Sequence, residues 1–289
     1  MSEFFQSILN GIAVGSAYTL TGLGLTVIYS VYRILNLAHG ELYMLGAFAS
    51  YFSMTYLHVP FFVALLISLF VTGIIGMILE RVVFRPLKNH SETDFLIVTI
   101  GLMFFISNLA LFLFTPNIRS LNGPFGNSTF NFLGINISHQ RMFIITVTIV
   151  LIVALHYFNY HTRTGKQMRA VSQDKHAAQL MGINVSKMGM IAFFIAAVLA
   201  AVAGTLMGDM QSISPAMGFA PLLMAMIVVI FGGLGSVVGA IVGGIVIGII
   251  QSLSVTYFSS ALSNILLYLI LFLTLMVRPN GLFGRKSYE

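Results

Sequence analysis

A histidine and a carboxylate stand two residues apart near the N-terminus, in the stretch ILNLAHGELYMLGAF, residues 34–48. His39 and Glu41 match the start of a zinc deaminase pattern, H-x-E, in which the histidine binds Zn²⁺ and the glutamate transfers protons. That chemistry also needs cysteine ligands, and the chain contains no cysteine. Side chains at i and i+2 also do not share a face of a helix. We therefore expect neither a metal site nor a catalytic site here.

A serine in the second half of the chain, Ser236, is the other residue that could carry chemistry. A membrane-embedded serine protease needs a Gly-x-Ser-Gly turn and a facing histidine. In GLGSV, residues 233–237, the serine is misplaced, and no histidine follows it. Gly165-Lys166 lacks the upstream glycine and the Ser or Thr of a nucleotide-binding P-loop. We expect a protein without enzymatic activity and without a cofactor of its own.

The composition predicts the elements that must position these residues. Hydrophobic residues make up 58% of the 289 residues, charged residues only 8%, and the mean hydropathy is +0.96. A soluble domain carries about 25% charged residues. We expect an all-α polytopic membrane protein, one domain over residues 1–289, with about nine membrane segments and a range of eight to ten. The expected segments are about 4–32, 40–57, 60–80, 94–114, 141–158, 188–208, 219–231, 236–256 and 261–277.

Basic residues are concentrated in a few places between these segments. They cluster in residues 81–88, 163–187 and 278–286, and Arg33 follows the first apolar run. The positive-inside rule places these regions on the cytoplasmic side and the segment 115–140 outside. We expect a multi-pass membrane protein with an external N-terminus and a cytoplasmic C-terminus. The net charge of +6 is then explained by the topology, because the basic residues lie at the cytoplasmic ends of the segments. We therefore expect no nucleic-acid partner.

Two of the segments are short and interrupted by glycine. AHGE follows Asn36 in the second segment, and FGGLGS, with Gly232, Gly233 and Gly235, ends the seventh. The second and seventh segments are five segments apart. Because five is an odd number, the two segments cross the membrane in opposite directions. This suggests an inverted repeat, in which broken helices line a transport site. The alternative is that two glycine-rich helices serve packing alone. Candidate residues of a pathway or of the helix break are Asn36, His39, Gly40, Glu41, Asp209 and Gln211.

The same polar residues also have a purely structural interpretation. Asn36 could cap the helix that follows, and Glu41 would be favoured near the positive N-terminal end of that helix. His39 and Gly40 would then mark the break. Asp209 and Gln211 could equally be helix caps or hydrogen-bond partners inside the bundle.

The longest polar stretch on the expected cytoplasmic side is TRTGKQMRAVSQDKHAAQLMGINVSKMG, residues 162–189. Ser172 or Asp174 can cap a short helix that ends at Gly182. Ala177, Leu180 and Met181 are spaced i, i+3 and i+4, which predicts an apolar stripe on this helix. Such a helix could lie on lipid headgroups, dock in the groove of a partner, or be a solvated linker.

Here a resemblance to a known family becomes specific. DKHAAQLMGIN, residues 174–184, is similar to the cytoplasmic coupling loop of ABC importer permeases, whose core is Glu-Ala-Ala, three residues and Gly. His176 stands where glutamate is usual, and Ala177, Ala178 and Gly182 keep the spacing. NLAHGELYMLGAF, VVIFGGLGSVVGAIVGG and RPNGLFG extend the match. Together these motifs resemble the LivH-type permeases of branched-chain amino acid ABC importers.

The resemblance implies a complex. Two permeases, this one and a related M-type chain, form the pathway, two cytoplasmic ATPases hydrolyse ATP, and an external binding protein delivers substrate. The ATPases would contact the loop at about 160–187 through Asp174, His176, Ala177, Ala178 and Gly182. Similar permeases carry urea or short amides, which leaves those substrates as an alternative to amino acids. A proton-coupled secondary transporter that uses Glu41 and Asp209 is the alternative of another class.

Overall fold

A computed structural model describes residues 2–121, 123–126, 128–132 and 135–284. Arg285 and Lys286, part of the C-terminal basic cluster, lie outside the described residues. The helices and strands are α1 (Ser2–Tyr32), α2 (His39–Tyr56), α3 (Phe61–Leu79), α4 (Glu92–Phe114), β1 (Thr129–Phe132), β2 (Ile135–Ser138), α5 (His139–His161), α6 (Arg163–Gln173), α7 (Lys175–Leu180), α8 (Val185–Met210), α9 (Phe219–Gly232), α10 (Val237–Tyr257) and α11 (Ser260–Val277). The all-α expectation is confirmed, with a short antiparallel hairpin of β1 and β2 as the addition.

Seven helices in the described part of the chain are long and apolar enough to cross a membrane: α1, α3, α4, α5, α8, α10 and α11. The other two expected segments are α2, which carries many polar residues, and α9, which has only 14 residues. Length and composition therefore support seven crossings directly. The polytopic membrane fold is clear, whereas the count of nine does not follow from these criteria.

Small residues bring the central helices together. A Cβ at Gly15 of α1 would lie 2.6 Å from Gly244 O, and one at Gly248 would lie 2.3 Å from Gly15 Cα. Helix α8 is lined by buried alanines, among them Ala196, which is fully buried. Such close backbone approach is how helices associate in a medium as apolar as their own side chains. The core is thus built around α1, which packs against both α8 and α10, while α2 and α3 pack against α8.

Contacts between the helices define their directions. Helix α8 is antiparallel to α1, because Gly189 packs on Tyr32 and Ala196 packs on Gly24. Helix α2 runs parallel to α8, since Gly46 contacts Ala201 and Ser50 contacts Thr205 further along.

Helix α9 runs the other way, parallel to α1. Gly22 of α1 packs on Val228 of α9, and Tyr29 packs on Gly235, just beyond the end of α9. Helices α2 and α9 therefore run in opposite directions.

Candidate functional site

The break between α1 and α2 lies deep inside the bundle. Helix α1 ends at Tyr32, and Arg33 adopts a left-handed conformation with φ of 62°. His39, the first residue of α2, nevertheless places Nε2 3.2 Å from the carbonyl oxygen of Thr21. Thr21 lies about 16 Å back along α1 from Tyr32. Residues 33–38 therefore fold back alongside α1 before α2 begins.

Three polar side chains of this break are buried: Asn36 is 2% exposed, His39 0% and Glu41 3%. Asn36 Oδ1 accepts a hydrogen bond of 3.0 Å from the N–H of Ala38, and Ala38 is the N-cap residue of α2, with no side-chain cap. The expectation that Asn36 itself caps α2 is therefore wrong, because its side chain closes the turn that precedes the cap. Asn36 Nδ2, His39 Nδ1 and Glu41 Oε2 find no hydrogen-bond partner among the described residues.

The start of α9 meets the start of α2. A Cβ at Gly40 would lie 2.3 Å from Gly218 O, and a Cβ at Gly218 would lie 2.4 Å from Gly40 O. Both distances are shorter than any real Cβ contact, so glycine is needed on both sides of this contact. Gly218 is the N-cap of α9 and, like Ala38, makes no side-chain cap. Two uncapped helix N-termini thus converge beside the buried polar cluster.

Asp209 and Gln211 lie away from this cluster, at the other end of α8. Asp209 Oδ1 accepts a hydrogen bond of 2.5 Å from the N–H of Gly123. Gln211 is the C-cap of α8 and its side chain is exposed. Beside them, Ile213 and Arg119 exchange backbone hydrogen bonds of 2.7 and 3.0 Å. Asp209 therefore ties α8 to the segment expected outside.

The glycines Gly232, Gly233 and Gly235 form the turn from α9 to α10. Gly233 has φ of 107° and Gly235 has φ of 80°, both in the region that favours glycine. The C-terminal stretch covers this turn, because Phe283 N–H donates to Gly232 O over 2.9 Å. The seventh segment therefore ends at these glycines, as expected, with Gly232 and Gly233 against the RPNGLFG motif and Gly235 against Tyr29. Its other end is also short, because α9 begins only after Gly218.

The segment expected on the cytoplasmic side folds as two short helices, α6 and α7. Asp174 caps α7, and its Oδ1 accepts hydrogen bonds from the N–H groups of His176 at 2.8 Å and Ala177 at 3.0 Å. The N–H groups of Ala177 and His176 hold the pKa of the Asp174 carboxyl below its usual value. Gly182 ends the helix with φ of 80°. The predicted cap and stop are confirmed.

The two faces of α7 differ. Ala178 is 4% exposed and belongs to the main hydrophobic cluster. Leu180 and Met181 are 89% and 82% exposed, and Ala177 and His176 are also on the surface. Lys175 Nζ donates to Tyr32 O over 3.3 Å, and Arg33 Nη2 donates to Ser172 O at the end of α6. Helix α7 is therefore anchored to α1 and presents an apolar edge outward.

Comparisons with known proteins agree with this architecture. The family model described as "Branched-chain amino acid transport system / permease component" matches residues 7–275. The chain belongs to this family. The permease is 32% identical, over 99% of its length and 98% of the relative's, to the BraD branched-chain amino acid permease protein of Pseudomonas aeruginosa. It is also 32% identical, over 99% of its length and 97% of the relative's, to LivH of Escherichia coli.

More distant matches are weaker. LivM of Salmonella typhimurium is 27% identical over 76% of this permease and 57% of its own chain. The solved structure of PsaBC from Streptococcus pneumoniae in complex with Fab aligns over 96% of this permease and 91% of that chain, at 14% identity and a TM-score of 0.47. The family and the apolar helices together establish a multi-pass permease subunit of the inner membrane.

The permease structure brings together only part of the predicted site. Asn36, His39, Gly40 and Glu41 form one buried cluster, whereas Asp209 and Gln211 lie at the far end of α8. Sequence reasoning missed Gly218, which stands alone in PAMGFAP, and Gly24, whose Cβ would lie 2.7 Å from the His39 ring. No local pattern identifies either residue, because each is needed only for contact with a distant segment. Among the described residues no three His, Cys, Asp or Glu side chains lie together in a metal-binding group.

Proposed function

We propose that this permease and a related M-type permease form the pathway of an ABC importer for branched-chain amino acids. Two cytoplasmic ATPases would hydrolyse ATP, an external binding protein would supply the substrate, and this chain would need no cofactor. The names of BraD and LivH support the substrate, and the match to LivM supports a permease partner related to this chain. Urea or a short amide remains the alternative cargo.

We propose nine crossings in a single transmembrane domain, with the N-terminus outside and the C-terminus in the cytoplasm. Helices α1–α4 and α8–α11 would form an inverted repeat joined by α5–α7. The directions of the helices support this arrangement, since α1 and α8 are antiparallel and α2 and α9 run in opposite directions. The broken helices α2 and α9 would then meet near the membrane midplane, as in other transporters with inverted repeats.

The pathway would pass the break between α1 and α2. The N-terminal ends of α2 and α9 favour a negative charge such as the substrate carboxylate. Glu41, buried and with Oε2 unpartnered, would favour the substrate ammonium group. Asn36 Nδ2 is an unused donor in the same place. Because Gly40 and Gly218 are in backbone contact, this arrangement would be a closed pathway, and transport would require α2 and α9 to separate.

The single observation that carries the coupling role is the exposed edge of α7. Leu180 and Met181 are exposed on a helix that Asp174 caps and Ala178 anchors. An apolar edge of this kind on the water side is suited to a groove in a partner. Movement of an ATPase against α7 would reach α1 through the bonds of Lys175 and Arg33.

The test is a reconstitution of the full complex in proteoliposomes. The double variant Leu180→Asp, Met181→Asp should reduce ATP-driven uptake at least tenfold and release the ATPases on purification, while the permease pair remains in the membrane. Gln179→Ala, an exposed change on the same helix, is the matched control and should transport normally. Normal uptake by the double variant would contradict the assignment.

Uptake by the permease alone under a pH gradient, abolished in Glu41→Gln, would instead establish the proton-coupled alternative.

A further inference from the structure

A cavity opens where the cytoplasmic ends of α1, α4, α7 and α8 meet. Its walls include three basic side chains, Arg33, Arg85 and Lys175, together with Glu92 at the start of α4 and Ser186 at the start of α8. The apolar part of the wall includes Ile34 and Phe95. The cavity is separate from the buried cluster of the α2 break and from the exposed edge of α7.

The basic groups of this cavity are held in place by the fold. Arg33 is exposed, has its backbone in the left-handed region, and donates from Nη2 to a neutral carbonyl, Ser172 O. Arg85 forms an ion pair of 3.0 Å with buried Glu80, and the Tyr32 hydroxyl donates to the same carboxylate over 2.8 Å. The negative charge of Glu80 therefore balances the positive charge of Arg85. The negative charge of Glu92 balances one of the two positive charges that remain. The lining keeps an excess of positive charge, and the guanidinium of Arg33 donates to a neutral carbonyl.

The surroundings of the cavity indicate a lipid-facing position. On α4, one turn beyond Glu92, Leu96 and Ile97 are 41% and 64% exposed, and Val82 before Arg85 is 66% exposed. Such apolar residues on membrane-spanning helices face lipid. The cavity thus lies at the boundary between these lipid-facing side chains and the polar helix ends, which is the level of the headgroups.

We infer that this cavity binds the phosphate headgroup of an anionic phospholipid of the cytoplasmic leaflet. Guanidinium and ammonium groups suit a phosphate, and basic pockets between membrane helices on this side are suited to anionic headgroups. Ile34 and Phe95 would contact the glycerol and the upper acyl chain. The inference rests on the proposed orientation and function.

The position of the cavity gives the bound lipid a role in coupling. Lys175 is the first residue of α7, Arg33 bonds to the end of α6, and Ser186 lies in the first turn of α8. A headgroup that contacts these residues would hold α7 against the end of α1. Transmission of ATPase movement to the pathway should then depend on anionic lipid.

The experiment uses the full complex in nanodiscs that contain phosphatidylcholine alone or with phosphatidylglycerol. Native mass spectrometry should detect phosphatidylglycerol retained on wild type, and phosphatidylglycerol should increase ATPase stimulation by the loaded binding protein. Arg33→Gln should weaken the phosphatidylglycerol dependence about fivefold, the effect of one basic contact with an anionic headgroup. Arg81→Gln removes an exposed arginine of the same cytoplasmic end that does not line the cavity, and should behave as wild type.

Further arms separate this inference from its rivals. Inorganic phosphate added to phosphatidylcholine nanodiscs should not replace the lipid, and full replacement would overturn the lipid assignment. Loss of the ATPases from Arg33→Gln in every lipid would assign the cavity to a protein contact. Equal lipid retention by wild type and Arg33→Gln would also overturn the inference. If no lipid composition supports ATP-driven transport, the proposed function fails, whereas lipid retention still tests the cavity.

Discussion

At the start of α2 polar side chains are buried and two backbones touch, whereas on α7 apolar side chains face outward from a helix that Lys175 and Ala178 anchor to the bundle. Asn36, His39 and Glu41 are at most 3% exposed, and Leu180 and Met181 are more than 80% exposed. Polar side chains are usually exposed and large apolar side chains are usually buried, and these two regions do the opposite. A buried polar group without a partner and an exposed apolar edge are both costly in isolation, which is why we propose a functional contact for each.

The two regions should respond differently to substitution. At the break, changes should act on folding and on the approach of α2 to α9. On α7, changes should act on the ATPase contact and leave the membrane domain intact. Three predictions test this difference within the permease itself.

The largest effect is expected at the contact between Gly40 and Gly218. Gly40→Ala places a Cβ 2.3 Å from Gly218 O and 2.8 Å from Leu222 Cβ, so α2 and α9 would have to move apart. We expect a destabilisation of at least about 3 kcal/mol, seen as a lower yield of folded protein and a lower Tm. Gly101→Ala in α4 is the matched control, because nothing lies within 4 Å of its Cβ, and its effect should stay within about 0.5 kcal/mol. A Tm for Gly40→Ala equal to that of the control would show that the two helices are not in contact.

The second effect concerns how His39 fills the bundle. The His39 ring occupies the space beside Gly24, where a Cβ would lie 2.7 Å from two ring atoms. His39→Ala should therefore leave a cavity and destabilise the permease by about 2 to 4 kcal/mol, and Gly24→Ala should also destabilise it through the clash.

The double variant separates packing from a role in transport. In Gly24→Ala, His39→Ala the new methyl group enters space that the ring has left, so the two losses should be less than additive by at least about 1 kcal/mol. Thermal unfolding of the four proteins in one detergent measures this coupling. Additive losses would argue against the contact. Slower uptake by a double variant that assembles normally would indicate that His39 also acts on the pathway.

The same contrast explains what the sequence could predict. Helix α7 followed from local signals: the cap at Asp174, the stop at Gly182 and the helical spacing between them. The nine expected segments all correspond to helices, because apolar length is a local property. The contact between Gly40 and Gly218 joins residues far apart in the chain, and no local pattern encodes it. The end of α9 at Gly232 to Gly235 was expected from the local sequence and is confirmed, whereas its start beside Gly218 was not expected, for the same reason.

Among the candidate site residues, too, local signals were predictive and contacts between distant segments were not. Asn36 was expected as a cap because it precedes a helix, but the chain folds back alongside α1, and this places its side chain on the N–H of Ala38. That fold-back depends on the left-handed Arg33 and on the space beside Gly24, neither of which has a sequence signature. The basic cavity likewise combines residues of α1, α4, α7 and α8.

The smallest effect is expected at the cap of α7. Asp174 accepts two backbone N–H groups, and these lower the pKa of its carboxyl. A lowered pKa in the folded state means that the carboxylate stabilises α7 above its unfolded pKa of about 3.9, and that this contribution is lost as the pH falls through the folded value. The protection of the His176 and Ala177 amides, relative to their intrinsic exchange rates, should therefore fall only below about pH 4.

Two variants separate charge from hydrogen bonding at this cap. Asp174→Asn keeps an acceptor oxygen, so α7 should remain protected at neutral pH and lose the acid dependence. Asp174→Ala removes the acceptor and should expose both amides at every pH, with ATP-driven uptake reduced by less than in the variant of Leu180 and Met181. Because Ala178 still anchors the helix in either variant, the membrane domain should keep its Tm. A change of Tm as large as that of Gly40→Ala would mean that α7 is part of the core and not a separate contact surface.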